Sequence, residues 1–202
     1  MFIGDTSYPE AEKPENWGCV DYQISPRADH PAQMVSWCDS VLFCNWLSIK
    51  EGRKPCYQRT GEKDKDHEGK QTTDDAWRVI PGANGYRMFS DSEWEYACRA
   101  GTQTKLSTGN DESLLVGYCQ MYPSKQTALC GEKMPNAWGL HDVHGNVCEW
   151  CEDLYNTDGS SRVSRGGCWY NDAGSLESAD RNRNFPANRS GGTGFRLALS
   201  PY

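Results

Sequence analysis

The sequence predicts an α+β domain in which two helices lie beside a small, twisted, mostly antiparallel sheet and long loops join the elements. Two segments, around 36–51 and 90–101, have helical spacing with start and stop signals; beyond Gly101 only short strand candidates appear, separated by Gly, Asn, Asp and Ser. The 202 residues suit one domain, and no internal repeat or linker divides them. Only 37% of residues are hydrophobic and 20 are glycine, but 8 tryptophans and 10 tyrosines supply large apolar surface, so an aromatic core under a loop-rich surface is expected.

Residues 1–29 carry Pro9, Pro14 and Pro26 among polar residues and read as an irregular segment ahead of a domain spanning 30–202. Ser36 is placed to cap the first helix with Asp39 in its first turn. Trp37, Val41, Cys44 and Leu47 follow helical spacing, Leu42, Phe43 and Trp46 fill the other faces, and Gly52 with Pro55 supplies the stop. From Glu62 to Asp75 the chain is almost wholly polar and reads as a solvated loop. Trp77–Ile80 and Tyr86–Met88, around Pro81-Gly82-Ala83-Asn84-Gly85, read as a β-hairpin. Ser90-Asp91-Ser92-Glu93 has capping-box form and opens the second helix, with Trp94, Ala97 and Cys98 inward and Gly101 at its end. Val147–Trp150, Arg162–Arg165 and Phe195–Leu199 are the later strand candidates.

A formal charge of −7 argues against nucleic acid, whose binding draws on clustered Lys and Arg. No apolar run approaches the roughly 20 residues that span a bilayer, and Met1–Pro14 lacks a signal-peptide pattern, so a cytoplasmic protein without a membrane partner is expected. In that compartment most of the ten cysteines read as small buried hydrophobes rather than disulfides. Cys148-Glu149-Trp150-Cys151 has C-x-x-C form, but no second close pair completes a zinc site, and a strand is the wrong setting for a thioredoxin-like pair. His141, Asp142 and His144 include the ligand types of an iron site; surface or supporting histidines are the simpler reading.

Three separated motifs in fixed order carry a resemblance: Gly139-Leu140-His141-Asp142-Val143-His144-Gly145-Asn146-Val147-Cys148-Glu149-Trp150, then Arg165-Gly166-Gly167-Cys168-Trp169, then Gly194-Phe195-Arg196. Pro31–Trp37 and Glu93–Ala97 agree with it, and together these segments resemble the formylglycine-generating enzyme, or sulfatase-modifying factor, family. The resemblance implies a C-type-lectin-like fold and, for active members, oxygen-dependent oxidation of a protein cysteine to formylglycine at a copper-binding cysteine pair. The positions of that pair here are Asn171 and Leu176, neither of which is a thiolate, so copper is not carried over. The expected function is therefore a binding or accessory module of the family. The alternative is an oxidoreductase of sulfatase-type substrates using a rearranged thiol site, for which Cys148 and Cys168 are the candidates because they occupy family positions that flank the catalytic pocket.

The same resemblance implies calcium in the Asp142 turn, held by that side chain with backbone oxygens that map to Val143, Gly145 and Val147; a carboxylate that merely caps the turn explains Asp142 as well. It further implies a ligand groove along Trp169, Tyr170, Asn171, Arg181, Asn182, Arg183, Asn188 and Arg189, with a protein or peptide as the expected partner; side chains that only order a strandless region are the other reading. The family's opening strands are missing before His30, so 195–199 is expected to carry an unpaired edge that a partner could cover.

Overall fold

The computed structural model describes residues 21–65, 70–157 and 159–199; most of the irregular N-terminal segment, residues 1–20, lies outside them. The first helix, α1 (Trp37–Lys50), starts at Ser36, whose hydroxyl accepts from the Asp39 N–H at 3.1 Å while the Asp39 carboxylate accepts from the Ser36 N–H at 2.7 Å. Apolar side chains on nearly every face bury it, with Trp37, Val41, Leu42, Cys44 and Trp46 inside. Helix α2 (Asp91–Arg99) opens with the same box at Ser90 and Glu93 and ends on Ala100, at φ 46°, followed by Gly101 at φ 91°. A short third helix, α3 (Leu115–Tyr118), was not expected; at four residues it is too brief to leave a periodic signal.

Between the two long helices the structure corrects two expectations. The polar stretch is largely an antiparallel ribbon, β1 (Tyr57–Lys65) against β2 (Gln71–Val79). Its base is fixed by Tyr57 and Trp77, which enter the cluster around Trp37, and the backbone ladder beyond needs no apolar alternation. The expected hairpin does not form, because β3 (Tyr86–Met88) pairs with β8 (Leu197–Leu199) instead of β2. Gly85 explains the turn-away. It packs so tightly on α1 that a Cβ there would stand 2.4 Å from the Ser48 hydroxyl and from the Lys54 carbonyl oxygen. The Ser48 hydroxyl then accepts the Tyr86 N–H at 2.7 Å, steering β3 along the helix.

The main sheet runs β6-β5-β4-β7, with β4 (Cys148–Leu154) antiparallel to β5 (Arg162–Arg165) and parallel to β7 (Thr193–Phe195), and β6 (Asn182–Asn184) at one edge. The expected 195–199 strand is thus two strands in two sheets, parted at Arg196. Among the described residues each has a strand partner on one side only.

The aromatic core is present, and its polar atoms are satisfied. Buried indoles donate from Trp37 to the Cys151 carbonyl at 2.9 Å, from Trp150 to the Val35 carbonyl at 3.0 Å, and from Trp94 to Glu149 at 2.7 Å. Arg165, 2% exposed at its side chain, crosses from β5 to α2, reaching Asp91 at 2.5 Å and Glu95 at 3.0 Å. The nine described cysteines form no disulfide with one another.

Candidate functional site

Strand β4 organises the site because successive side chains leave a strand on opposite faces. Trp150 joins the cluster with Trp37 on one face, whereas Cys151 packs with Trp94, Cys98, Val143 and Val163 on the other. The two cysteines of the C-x-x-C are therefore held in different settings, and Cys151 is pushed up by burial. Cys148 and Glu149 likewise line two different cavities.

The first cavity, about 200 Å³, is polar. Cys148, Tyr170, Asn171, Asn182, Arg183, Asn184, Asn188, Ser190 and Thr193 line it. Five of the expected groove residues, Tyr170, Asn171, Asn182, Arg183 and Asn188, thus converge. The other three do not. The Trp169 indole donates to the Gly191 carbonyl at 3.0 Å, Arg181 pairs with Asp91 at 2.8 Å, and Arg189 makes a two-toothed ion pair with the buried Asp39 at the start of α1. Sequence reasoning missed Thr193, which becomes part of the wall only through the parallel pairing of β7 with β4.

Behind Cys148, Cys168 meets it beside Gly192, whose carbonyl accepts the Cys148 N–H at 2.7 Å and on which a Cβ would stand 2.8 Å from the Cys168 sulfur. Cys168 is pushed down to about 7 by the neighbouring Cys148 thiol first, against burial, and then by the Tyr170 N–H, the Tyr170 phenol and the Asn171 N–H. Cys148 is pushed well up by the neighbouring Cys168 and by burial. The Asn171 side-chain oxygen accepts the Cys168 N–H at 2.9 Å and lies 3.0 Å from its sulfur. An amide oxygen favours a protonated thiol there, so the thiolate rests on the donors named above. Leu176 is fully buried with Leu106, Leu115 and Cys119.

The second cavity, about 670 Å³, lies on the Glu149 side and includes Asp142, Asn146, Val147, Phe195 and Arg196. Glu149, 4% exposed, accepts from Trp94 and from Arg196 at 2.6 and 3.0 Å. This locked pair escaped the sequence reading, although a charged residue inside each of two otherwise apolar runs, Val147–Cys151 and Phe195–Leu199, was its signal. Asp142, at φ 58°, accepts the Gly131 N–H with one carboxylate oxygen at 2.8 Å, while the other is buried with no hydrogen-bond partner. Burial accordingly raises its pKa.

Of the four positions expected to hold calcium, Asp142 and Val147 line the cavity. The Val143 carbonyl instead lies toward Gly166 and accepts weakly from the Cys98 thiol at 4.0 Å, and the Gly145 N–H donates to Gly166 at 2.7 Å. The orphaned carboxylate oxygen fits a cation. Among the described residues no group of three or more His, Cys, Asp or Glu side chains gathers to hold a metal, so backbone oxygens would have to complete such a site.

His144 is buried between protein partners, with Nδ1 2.7 Å from the Leu176 carbonyl and Nε2 3.1 Å from the Ser107 N–H. A carbonyl only accepts and an amide only donates, so the ring is neutral with its proton on Nδ1. His141 faces the Lys133 carbonyl at 2.7 Å. Both histidines therefore have structural partners.

The family model described as Sulfatase-modifying factor enzyme 1-like domain matches residues 2–201. The chain belongs to this family. Similar curated proteins include the chaperone protein LppX of Paenibacillus barcinonensis, 30% identical over 175 residues, which are 74% of this chain and 62% of that protein. The formylglycine-generating enzyme of Mus musculus is 25% identical over 209 residues, 88% of this chain and 46% of the enzyme. The sulfatase-modifying-factor domain described above thus spans less than two thirds of either relative's length. Among solved structures, Treponema denticola variable protein 1 superposes with a TM-score of 0.72 at 29% identity, covering 86% of this chain and 72% of that one. PvdO from Pseudomonas aeruginosa gives 0.65 at 26% identity, with 86% and 63% covered. The α+β, loop-rich fold is that of the family. No helix among the described residues is long and apolar enough to cross a membrane.

Proposed function

We propose that this chain is a binding or accessory domain of the sulfatase-modifying-factor family, taking a peptide segment at the small polar cavity and lacking copper-dependent cysteine oxidation. The observation that carries the reading is Leu176. Where active members are expected to place a ligating sulfur, this chain has a fully buried leucine packed among Leu106, Leu115 and Cys119. The other expected position, Asn171, offers an amide that is engaged with Cys168. Without soft ligands there, copper has no holder at the family position. What remains is a wall of side-chain amides with Arg183, suited to pairing with a peptide backbone and a carboxylate, beside Tyr170, which is 48% exposed.

The test is to incubate the protein with copper and a sulfatase-type Cys-x-Pro-x-Arg peptide, then weigh the peptide and titrate its binding by tryptophan fluorescence. Binding without a mass change, weakened several-fold by Arg183→Ala, is the expected result. A loss of about 18 Da on the cysteine, the change from thiol to aldehyde, would overturn the reading in favour of an oxidase working through a rearranged thiol site. Absence of both binding and mass change would remove the peptide as ligand.

We also propose a calcium ion in the Asp142 turn. Its support is the buried, partnerless carboxylate oxygen with a raised pKa, which a divalent cation would supply with the charge it lacks.

A further inference from the structure

We propose that Cys148 and Cys168 form a hydroperoxide-sensitive thiol pair that closes to a reversible disulfide at the floor of the polar cavity. This goes beyond the binding reading and does not depend on it. The two residues come from different elements, the first position of β4 and the turn after β5, and both lie against Gly192. Gly192 makes the meeting sterically feasible. Its carbonyl accepts the Cys148 N–H at 2.7 Å, and a Cβ on it would stand 2.8 Å from the Cys168 sulfur and 2.9 Å from the Tyr170 hydroxyl.

Access and charge are divided between the two sulfurs. Cys168 is 1% exposed, whereas Cys148 is partly exposed and lines a cavity wide enough for a small peroxide. The donors around Cys168 let the pair lose one proton near neutral pH. Burial pushes other described thiols the opposite way, with Cys98 at about 12, Cys119 at about 11, and Cys44, Cys56, Cys130 and Cys151 also raised. The pair is therefore marked out by thiolate character as well as by proximity.

The chemistry balances with a hydroperoxide as the oxidant. The shared proton crosses to Cys168, leaving the charge on the sulfur at the cavity. The Cys148 thiolate attacks the peroxide oxygen; an S–O bond forms as the O–O bond breaks, giving a sulfenic acid and hydroxide or alkoxide. That base takes the Cys168 proton, and the resulting thiolate attacks the Cys148 sulfur, forming S–S and expelling hydroxide. Two thiols are oxidised by two electrons and one peroxide is reduced. A dithiol reverses the step.

The experiment treats the reduced full chain with an equivalent of hydrogen peroxide in the presence of a chelator. Remaining thiols are blocked, and the protein is weighed and mapped as non-reduced peptides. A loss of about 2 Da is expected, with a cross-link between the Cys148 and Cys168 peptides, undone by dithiothreitol, and a rate that climbs between about pH 6 and pH 8. Cys148→Ser and Cys168→Ser should each abolish the cross-link. The map of the parent protein decides the matter even if a variant folds poorly. Cross-linking through any other pair, oxidation of Cys130 while Cys148 and Cys168 stay reduced, or equal rates at both pH values would overturn the proposal.

Discussion

Cys148 and Glu149 are neighbours in β4, yet the cavities they line are held together in different ways. On the Glu149 side, a charge is enclosed and fully engaged by Arg196 and Trp94, and Asp142 keeps one oxygen unmet. On the Cys148 side the wall is built largely from amides held by longer hydrogen bonds, Asn188 to Asn184 at 3.2 Å and Asn182 to the Asp180 carboxylate at 3.1 Å. Enclosed charge is costly to disturb, because removing one partner strands the other in a medium that cannot solvate it. Solvated amides can change partners at little cost. The first side is therefore expected to govern stability and the second recognition.

The sharpest way to break this contrast is Glu149→Leu, which leaves Arg196 and the Trp94 N–H without their acceptor. It should lower the unfolding free energy by about 3–5 kcal/mol in a urea titration, while Arg183→Ala in the other cavity should stay within about 0.5 kcal/mol. Similar losses for the two would erase the distinction. Calcium tests the same side more gently. At about 100 times its dissociation constant, an ion bound only by the folded state adds about 2.7 kcal/mol, so the melting temperature should rise with calcium and fall with chelator. Asp142→Ala should lose that increment, compared with and without the ion so that the strain of the turn cancels. A parent protein indifferent to both additives would have no such site.

The smallest expected effect is on pH dependence through His144, which links Leu176 to Ser107. Burial holds its folded-state pKa below the ordinary 6.5. The unfolded chain then binds more protons, so the contribution is present above about pH 6.5 and is lost as pH falls through the folded value. His144→Gln should flatten the decline of stability in that window. An unchanged pH profile would show that this ring does not carry it.

Both long helices were legible in the sequence because their starts are spelled out locally, by Ser36 with Asp39 and Ser90 with Glu93. The β1–β2 ribbon was not, since strands with charged residues on both faces have no apolar alternation to report. The false hairpin at 77–88 had sound turn chemistry, but Gly85 docking on α1 is a long-range contact that no local pattern announces. The candidate site divides similarly. Cys168, Asn171 and Leu176 could be singled out only through the family motifs, and Thr193 only once its strand partner was known. Arg181 and Arg189 were placed along the groove through the family resemblance, and no local pattern announced that Asp91 and Asp39 pair with them in the fold.

The parting of β7 and β8 at Arg196 has a consequence for how this chain can vary in length. Thr193, Gly194 and Phe195 are in register with Cys148, Glu149 and Trp150, and Leu197, Ala198 and Leu199 with Met88, Arg87 and Tyr86. One residue lies between the two registers, and its guanidinium fastens Glu149. Adding or deleting a single residue there would turn the side chains of one strand inside out and withdraw the guanidinium from its carboxylate in the same event. Variation in this family member should therefore enter by substitution at 193–199, while insertions settle in the connection from β4 to β5, which no such double register constrains.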